Sequence, residues 1–140
     1  MLTHLTSAIA SSAVDHALTL AKTDYQNRPL SVAVCDPQGF LLAFARMDGA
    51  KLMTIELTQR KAYTSSRLGS ATDAFLQRLQ TERLDIGYFG DDRFTALPGG
   101  IPLFDAGKRC LGAVAVGGLS AAEDHEAALK VAQWVHELAQ

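Results

Sequence analysis

Lys61 is the residue whose type and position could most directly support chemistry, because it interrupts an apolar helical stripe. The segment from Lys51 to Leu68 has helical periodicity, and its predicted inner stripe is formed by Met53, Leu57, Lys61, Thr64 and Leu68. A lysine at the margin of such a stripe loses part of its hydration, so it either meets an anion or has a lowered pKa. Alternatively, its stem covers core surface while its ammonium group reaches water.

Asp124 is the acidic counterpart of Lys61, since it continues the apolar stripe of the last predicted helix. That stripe consists of Asp124, Ala128, Val131, Val135 and Leu138. A carboxylate at the edge of a pocket could pair with a cation or transfer a proton. An acid in a first helical turn also needs no catalytic role, because the helix dipole favours negative charge there.

If the protein is an enzyme, Lys61 and Asp124 are its catalytic candidates. Lys61 would act as a base or as an amine that forms an imine, and Asp124 would be its proton partner. The substrate class that we expect for such a pair is a small oxo- or hydroxy-acid.

Further ligand-binding candidates lie at the end of a strand and in two glycine pairs. Arg46 could hold a carboxylate through two hydrogen bonds, or it could pair with Asp48 or another acid. Gly99-Gly100 and Gly117-Gly118 could let a ligand approach the backbone, and free N–H groups before a helix could bind a carboxylate or phosphate. Simple turn geometry would explain both pairs as well, and neither matches a nucleotide-binding motif.

Two aromatic residues, Tyr88 and Phe89, lie in a stretch from Thr81 to Asp92 that has no clear period. We expect a loop or lid there, which could cover the apolar body of a ligand. In a structural or regulatory subunit, the same loop, from Tyr88 to Phe94, would instead form an interface between subunits.

Metal and hydrolase sites are not predicted. The sequence has no CxxC, HExxH or GxSxG motif and no spaced set of histidines and carboxylates. Its two cysteines, Cys35 and Cys110, each lie in an apolar run and are interpreted as small buried side chains. This cysteine usage is compatible with a reducing cytosol.

The composition is that of one ordinary globular domain spanning residues 1–140. The chain has 48% hydrophobic and 20% charged residues, a formal net charge of -2 and a pI near 6.0. Because basic residues are scattered, a nucleic-acid partner is not expected. The N-terminus lacks signal-peptide features and no apolar run approaches membrane-spanning length, so we expect a cytoplasmic protein with no membrane partner.

The elements that must position these residues follow an order of helix, hairpin, helices, strands and helix. Besides the helix over Lys51–Leu68, we predict helices that begin at Leu5, at Thr72 and at the capping box 120–123. The predicted strands are Leu30–Cys35, Phe40–Met47, Arg93–Leu97, Ile101–Asp105 and Arg109–Val116. This order departs from strict βαβ alternation. We therefore predict an α+β fold of three layers, α/β/α, with a mainly antiparallel, profilin- or PAS-like sheet.

Five stretches of the sequence, in register, resemble the GlcG/HbpS-like family, which also occurs as the C-terminal domain of PduO-type proteins. They are SVAVCDPQG at 31–39, RMDGA at 46–50, the helix segment Gln59-Arg60-Lys61-Ala62, GGIP at 99–102 and LGAVAVGGLSAAED at 111–124. Their order and spacing cover nearly the whole chain.

The resemblance implies a five-stranded antiparallel sheet with helices on both sides, assembled as a homo-oligomer, a dimer or larger. It also implies that haem or another tetrapyrrole is a possible ligand. By position, the residues that the resemblance assigns to the ligand pocket are Arg46, Asp48, Lys61, Gly99-Gly100 and Asp124. The chain departs from the family where members commonly read GVSGG, since it has Ala115-Val116-Gly117-Gly118 and lacks the hydroxyl. No histidine stands out as an axial haem ligand.

The leading functional prediction is therefore a binding protein for a small anionic organic ligand such as haem. Arg46, Lys61 and the glycine amides would contact propionate or carboxylate groups, and Tyr88 or Phe89 would cover the apolar body. The enzyme and the structural subunit described above are the alternatives.

Overall fold

The structure, a computed structural model, describes residues 2–138. Within this range the helices are α1 (Ser7–Asp24), α2 (Met53–Leu68), α3 (Thr72–Glu82) and α4 (Ala121–Leu138), with a 3₁₀ helix at Ile86–Phe89. The strands are β1 (Ser31–Cys35), β2 (Leu41–Arg46), β3 (Gly100–Phe104) and β4 (Cys110–Gly117). The predicted domain of residues 1–140 includes Met1, Ala139 and Gln140, which lie outside the described residues.

The four strands form one antiparallel sheet in the order β2-β1-β4-β3. The expectation of a fifth strand is wrong for the described residues, because the segment 93–97 does not join the sheet. There the Thr95 N–H donates to Thr64 Oγ1 at 2.9 Å, and the Phe94 ring packs edge-on against Phe75. A helix side chain thus takes the backbone hydrogen bond that a neighbouring strand would need.

The predicted α+β fold with helices on both faces of the sheet is confirmed. Four fully buried valines of β1 and β4 point to the face covered by α1 and α4; they are Val32, Val34, Val114 and Val116. The opposite face carries Ala33, Ala113 and Ala115, which pack with Ala62 of α2. The core is therefore divided by the sheet into a large valine-rich half and a thin half of small side chains.

Helix α2 lies close to the sheet where glycines of β3 and β4 face it. A Cβ atom added at Gly117 would lie 2.3 Å from Thr58 Oγ1, and one added at Gly100 would lie 2.4 Å from the Lys61 carbonyl oxygen. The helix consequently buries its small polar side, while Met53, expected on the inner stripe, is 63% exposed. This difference from the predicted stripe arises because the thin half of the core has no room for long side chains.

Two local signals at element ends, the β1–β2 turn and the capping box before α4, are confirmed. Asp36 Oδ1 accepts the N–H groups of Gln38 and Phe40, both at 2.9 Å, in the β1–β2 turn. Before α4, Ser120 Oγ accepts the Glu123 N–H at 3.2 Å, and the Glu123 carboxylate accepts the Ser120 N–H, which is the predicted capping box. None of the helices within residues 2–138 combines the length and apolar character needed to cross a bilayer.

Candidate functional site

Lys61 lies in the middle of α2 and points between the end of β4 and the start of α4. The residue is only 2% exposed, so its ammonium group does not reach bulk water as a lysine head at a helix margin would. Its Nζ donates to the Val116 carbonyl oxygen at 3.0 Å and to Asp124 Oδ2 at 3.1 Å. Of the two interpretations that the sequence left open for Lys61, the structure shows the desolvated lysine that meets an anion.

Asp124 is held on both of its carboxylate oxygens. Oδ2 accepts from Lys61, and Oδ1 accepts the Leu119 N–H at 2.9 Å. The residue is 4% exposed and lies in the first turn of α4, where its own N–H donates to the Ser120 carbonyl oxygen. The loop that leads into α4 thus fixes the carboxylate at one position relative to Lys61.

Gly99 makes room for this ion pair. A Cβ atom there would lie 2.9 Å from Lys61 Nζ and 3.1 Å from Asp124 Cβ, and its φ of +129° also disfavours a side chain. At Gly99, and at Gly100 and Gly117 beside α2, the space next to the backbone is thus occupied by the chain's own atoms.

Burial dominates the electrostatics of the pair. Removal from water lowers the pKa of Lys61 and raises the pKa of Asp124, and the attraction between the two groups opposes both shifts. The uncharged amine and the uncharged carboxylic acid are consequently closer in free energy to the ion pair than they would be in water. A nucleophilic or basic amine beside a proton donor is the chemistry that this arrangement can provide.

A pocket of about 220 Å³ opens above the pair, and we call it the Lys61 pocket. Lys61 and Asp124 form its buried floor. Met53, Leu57 and Leu97 belong to its apolar walls. A small ligand in this pocket would contact an apolar surface on its sides and two ionisable groups at its inner end.

The mouth of the Lys61 pocket combines a cation with a helix N-terminus. The exposed Lys51 lies just before α2, and Leu119 and Ala121 border the pocket where α4 begins. A helix N-terminus carries partial positive charge, so both features favour an anionic group at the mouth. Gly118, one of the predicted glycines, also borders the pocket here.

The other predicted ligand residues lie elsewhere. Arg46 and Asp48 are exposed and do not line the Lys61 pocket, and among residues 2–138 neither forms a salt bridge. Tyr88 is 74% exposed, whereas Phe89 packs edge-on against Phe75 with ring centroids 5.0 Å apart. The structure therefore groups Lys61, Asp124 and Gly118, with Gly99 beside the ion pair, and leaves the arginine and the aromatic loop outside.

Two kinds of lining residue were missed by sequence reasoning. Lys51 and Thr54 precede Lys61 by ten and seven residues. This spacing places them on the same side of the predicted helix as Lys61, which could have identified them as pocket residues. Leu97 and Pro98 enter the pocket from the loop before β3, and no local pattern indicates that placement.

A larger groove runs between α4 and the outer edge of β3, and we call it the α4–β3 groove. It has a volume of about 610 Å³, and its lining includes Ile101, Leu129, His125 and His136. No group of three or more histidine, cysteine or acidic residues within the described range could hold a metal ion. Cys35 is buried, and desolvation raises the pKa of its thiol to about 12, so this residue is not a thiolate ligand.

The comparisons with known proteins agree with this architecture. The sequence matches the family described as haem-degrading protein HbpS-like over residues 5–133, while no curated protein matches it. A double mutant of HbpS from Streptomyces reticuli has 28% identity and a TM-score of 0.83, covering 96% of this chain and 88% of that one.

Two further structures share the fold at lower identity. The ORFY protein of Klebsiella pneumoniae has 22% identity and a TM-score of 0.85, covering 97% of this chain and 93% of that one. A haem complex of PduOC has 22% identity and a TM-score of 0.83, covering 94% of each chain. Since the family match spans nearly all of the sequence, the chain belongs to the HbpS-like family, as the five motifs predicted.

Proposed function

We propose that this protein binds a small organic carboxylate in the Lys61 pocket. The observation that carries the proposal is a buried lysine–aspartate pair at the floor of an accessible pocket. Replacing such a pair with apolar residues is often neutral or stabilising, so a role in stability alone is a weak explanation for it. Strongly desolvated ionisable groups that border a pocket are typical of functional sites.

The charges around the pocket favour one orientation of the ligand. The floor pair is neutral as a unit, whereas the mouth carries the Lys51 ammonium group and the N-terminus of α4. The carboxylate of the ligand would therefore lie near the mouth, and its body would contact Met53, Leu57 and Leu97. A volume of about 220 Å³ is below the roughly 300 Å³ at which pockets for drug-sized ligands begin, so the acid has only a few carbon atoms.

Titration of the protein with short carboxylates tests this proposal. Lys51→Gln should weaken propionate binding by about threefold to tenfold, as expected for one partly exposed charge contact. Lys22→Gln on α1 is the matched control, because Lys22 is also exposed but does not line the pocket. Calorimetric affinities that fall equally in both variants, or no binding to the wild type, would reject the Lys61 pocket as the carboxylate site.

Haem does not fit the Lys61 pocket. The pocket is small, its lining contains neither histidine nor cysteine, and its floor is already occupied by an ion pair. Haem binding, which PduOC shows in its complex, is therefore a second candidate function at a different place, the α4–β3 groove.

The α4–β3 groove offers the volume and the imidazoles that a haem needs. His125 has its Nε2 3.4 Å from Asp73 Oδ2, and its buried Nδ1 has no hydrogen-bond partner within the described residues. A histidine ligand commonly has a carboxylate near its second ring nitrogen, and Asp73 occupies that place beside His125. His136, whose Nε2 accepts the Phe104 N–H at 3.2 Å, is the other candidate. A bound haem would supply the redox and oxygen chemistry of its iron.

A spectral titration with haemin tests the second candidate. We expect a saturable Soret shift that His125→Ala or His136→Ala weakens at least tenfold, while His4→Ala, outside the groove, leaves it unchanged. Absence of a saturable shift, or equal behaviour of all three variants, would exclude the α4–β3 groove as a haem site.

A further inference from the structure

We propose that Lys61 forms a reversible imine with the carbonyl carbon of a small 2-oxo-acid, and that Asp124 moves the protons of this step. The inference rests on the proposed carboxylate site and assigns its substrate class. It would make the Lys61 pocket a covalent site with no need for a metal ion or an oxidant.

The geometry around Nζ leaves one direction open towards a substrate. An amine nitrogen bonded to Cε has three remaining positions, and two of them are occupied by contacts with the Val116 carbonyl oxygen and Asp124 Oδ2. Because Lys61 also lines the pocket, we take the remaining position to be the side from which a ligand reaches Nζ. Once the shared proton has moved to Asp124, rotation about the Cε–Nζ bond turns the lone pair of the neutral amine from Asp124 towards this side, where it can meet a carbonyl carbon.

Asp124 is placed to act on the carbonyl oxygen of the same substrate. Its Oδ2 lies 3.1 Å from Lys61 Nζ, so a carbon bonded to Nζ would bring its oxygen next to this carboxyl group. The Leu119 N–H holds the other carboxyl oxygen at 2.9 Å, which keeps Oδ2 directed at the lysine. Burial supports both roles, since it lowers the pKa of the amine and raises that of the acid.

The step balances with the groups present. The pair first shifts its shared proton, which gives a neutral amine and a carboxylic acid. The amine then adds to the carbonyl carbon while the acid protonates the carbonyl oxygen, and the new C–N nitrogen returns one proton to the carboxylate. Finally, the acid protonates the hydroxyl group, which leaves as water. The products are a protonated imine on Lys61, the Asp124 carboxylate and one water molecule.

The pocket selects a carbonyl group that lies next to a carboxylate. With the oxo carbon at the floor, the carboxylate of a short 2-oxo-acid extends towards the Lys51 ammonium group and the start of α4. The apolar walls accommodate a methyl or short alkyl group. A ketone without a carboxylate lacks the mouth contacts, and an acid without an oxo group lacks the reacting carbon.

Reductive trapping tests the inference with three matched probes: pyruvate, acetone and propionate. The whole protein is incubated with each probe and cyanoborohydride, and the adduct is located by peptide mass spectrometry. We expect pyruvate to modify Lys61 at least tenfold faster than the exposed Lys22 or Lys108, acetone to react slowly, and propionate to protect Lys61 from pyruvate. Asp124→Asn should slow trapping about a hundredfold or more, as loss of a general acid does.

Two results separate this inference from the proposed function. If propionate binds in calorimetry while pyruvate labels Lys61 no faster than the surface lysines, the imine is rejected and the carboxylate site stands. If neither acid binds and Lys61 is not labelled, both are rejected. Because the protection experiment uses the wild-type chain, it tests the imine even where Asp124→Asn fails to fold.

Discussion

At the scale of single residues, the Lys61–Asp124 pair is the feature that most needs a functional reason. Two charges that are 2% and 4% exposed have both lost hydration, which costs several kcal/mol per ion before any attraction is counted. The pair retains three hydrogen bonds, to each other and to the backbone at Val116 and Leu119. Because these polar groups are hydrogen-bonded, the protein can fold with the pair buried. An apolar pair at the same place would stabilise the core at least as well.

A double-mutant cycle measures how the Lys61–Asp124 pair affects the free energy of unfolding. Lys61→Met should lower the free energy of unfolding by about 3–5 kcal/mol, because it leaves a buried carboxylate without its cation. Lys61→Met combined with Asp124→Asn should recover most of that loss, since the amide can still accept the Leu119 N–H. Chemical denaturation of these two variants and of Asp124→Asn alone gives the three free energies of the cycle, and strictly additive losses would contradict the interpretation.

The stability of the Lys61→Met variant should depend on pH, and the direction follows from the burial of Asp124. Burial raises the folded-state pKa of Asp124 above its unfolded value, and Lys61→Met removes the charge that opposes this shift. The protonated form of Asp124 therefore contributes stability that is present below the ordinary aspartate pKa and is lost as pH rises through the raised value. Lys61→Met should unfold more easily at neutral than at mildly acidic pH. The variant that also carries Asp124→Asn should lack this slope.

At the scale of elements, the close packing of α2 on the sheet decides where Lys61 points. Small residues of β1 and β4 and the glycines at Gly100 and Gly117 let the helix backbone approach the sheet. The long side chains Met53 and Leu57 are consequently left at the pocket wall. The same packing that creates the thin half of the core thus leaves a cavity at one end of α2.

Gly117→Ala tests this packing. The added Cβ would lie 2.3 Å from Thr58 Oγ1, so α2 must move, and we expect a loss of about 1–3 kcal/mol in the free energy of unfolding. Gly107→Ala is the matched control, because its nearest contact is an ordinary 3.4 Å. Similar thermal stability of both variants would mean that α2 has room to move away from the sheet. Carboxylate affinity should fall with stability in Gly117→Ala, since Lys61 moves with the helix.

The outer edge of β3 shows how the fold protects a strand that has a partner on one side only. The Gly100 N–H donates to Thr72 Oγ1 at 3.0 Å, and the Phe104 N–H donates to His136 Nε2 at 3.2 Å. Pro102, between them, has no N–H group. These contacts leave the edge with few free donors for another strand, which limits uncontrolled pairing between chains.

At the scale of the whole molecule, a homo-oligomer remains our prediction for the assembly, and the loop at 88–94 is one expected interface. Phe89 and Phe94 pack against Phe75 within the chain, so Tyr88, at 74% exposure, is the residue that can report on contacts between subunits. Light scattering should give a mass above that of one chain, and Tyr88→Ser should reduce it. A wild-type monomer at micromolar concentration would contradict the prediction, and an unchanged assembly would exclude this loop as the interface.

The sequence alone was sufficient for features that depend on local periodicity and turn chemistry. The order of the four helices and of the four observed strands, the turn at Asp36 and the capping box at Ser120 follow from residues a few positions apart, as does the position of Lys61 and Asp124 on apolar helical stripes. The family could also be identified, because its five motifs keep their order and spacing over the chain.

Only the tertiary structure decided which of these residues meet. Lys61 and Asp124 are 63 positions apart, and their contact depends on how α2 and α4 pack at the end of β4. Arg46 stays outside the pocket, and the segment 93–97 bonds to a helix instead of extending the sheet. Periodicity reports which side of an element is buried, whereas the partner that buries it is set by side-chain volumes on another element.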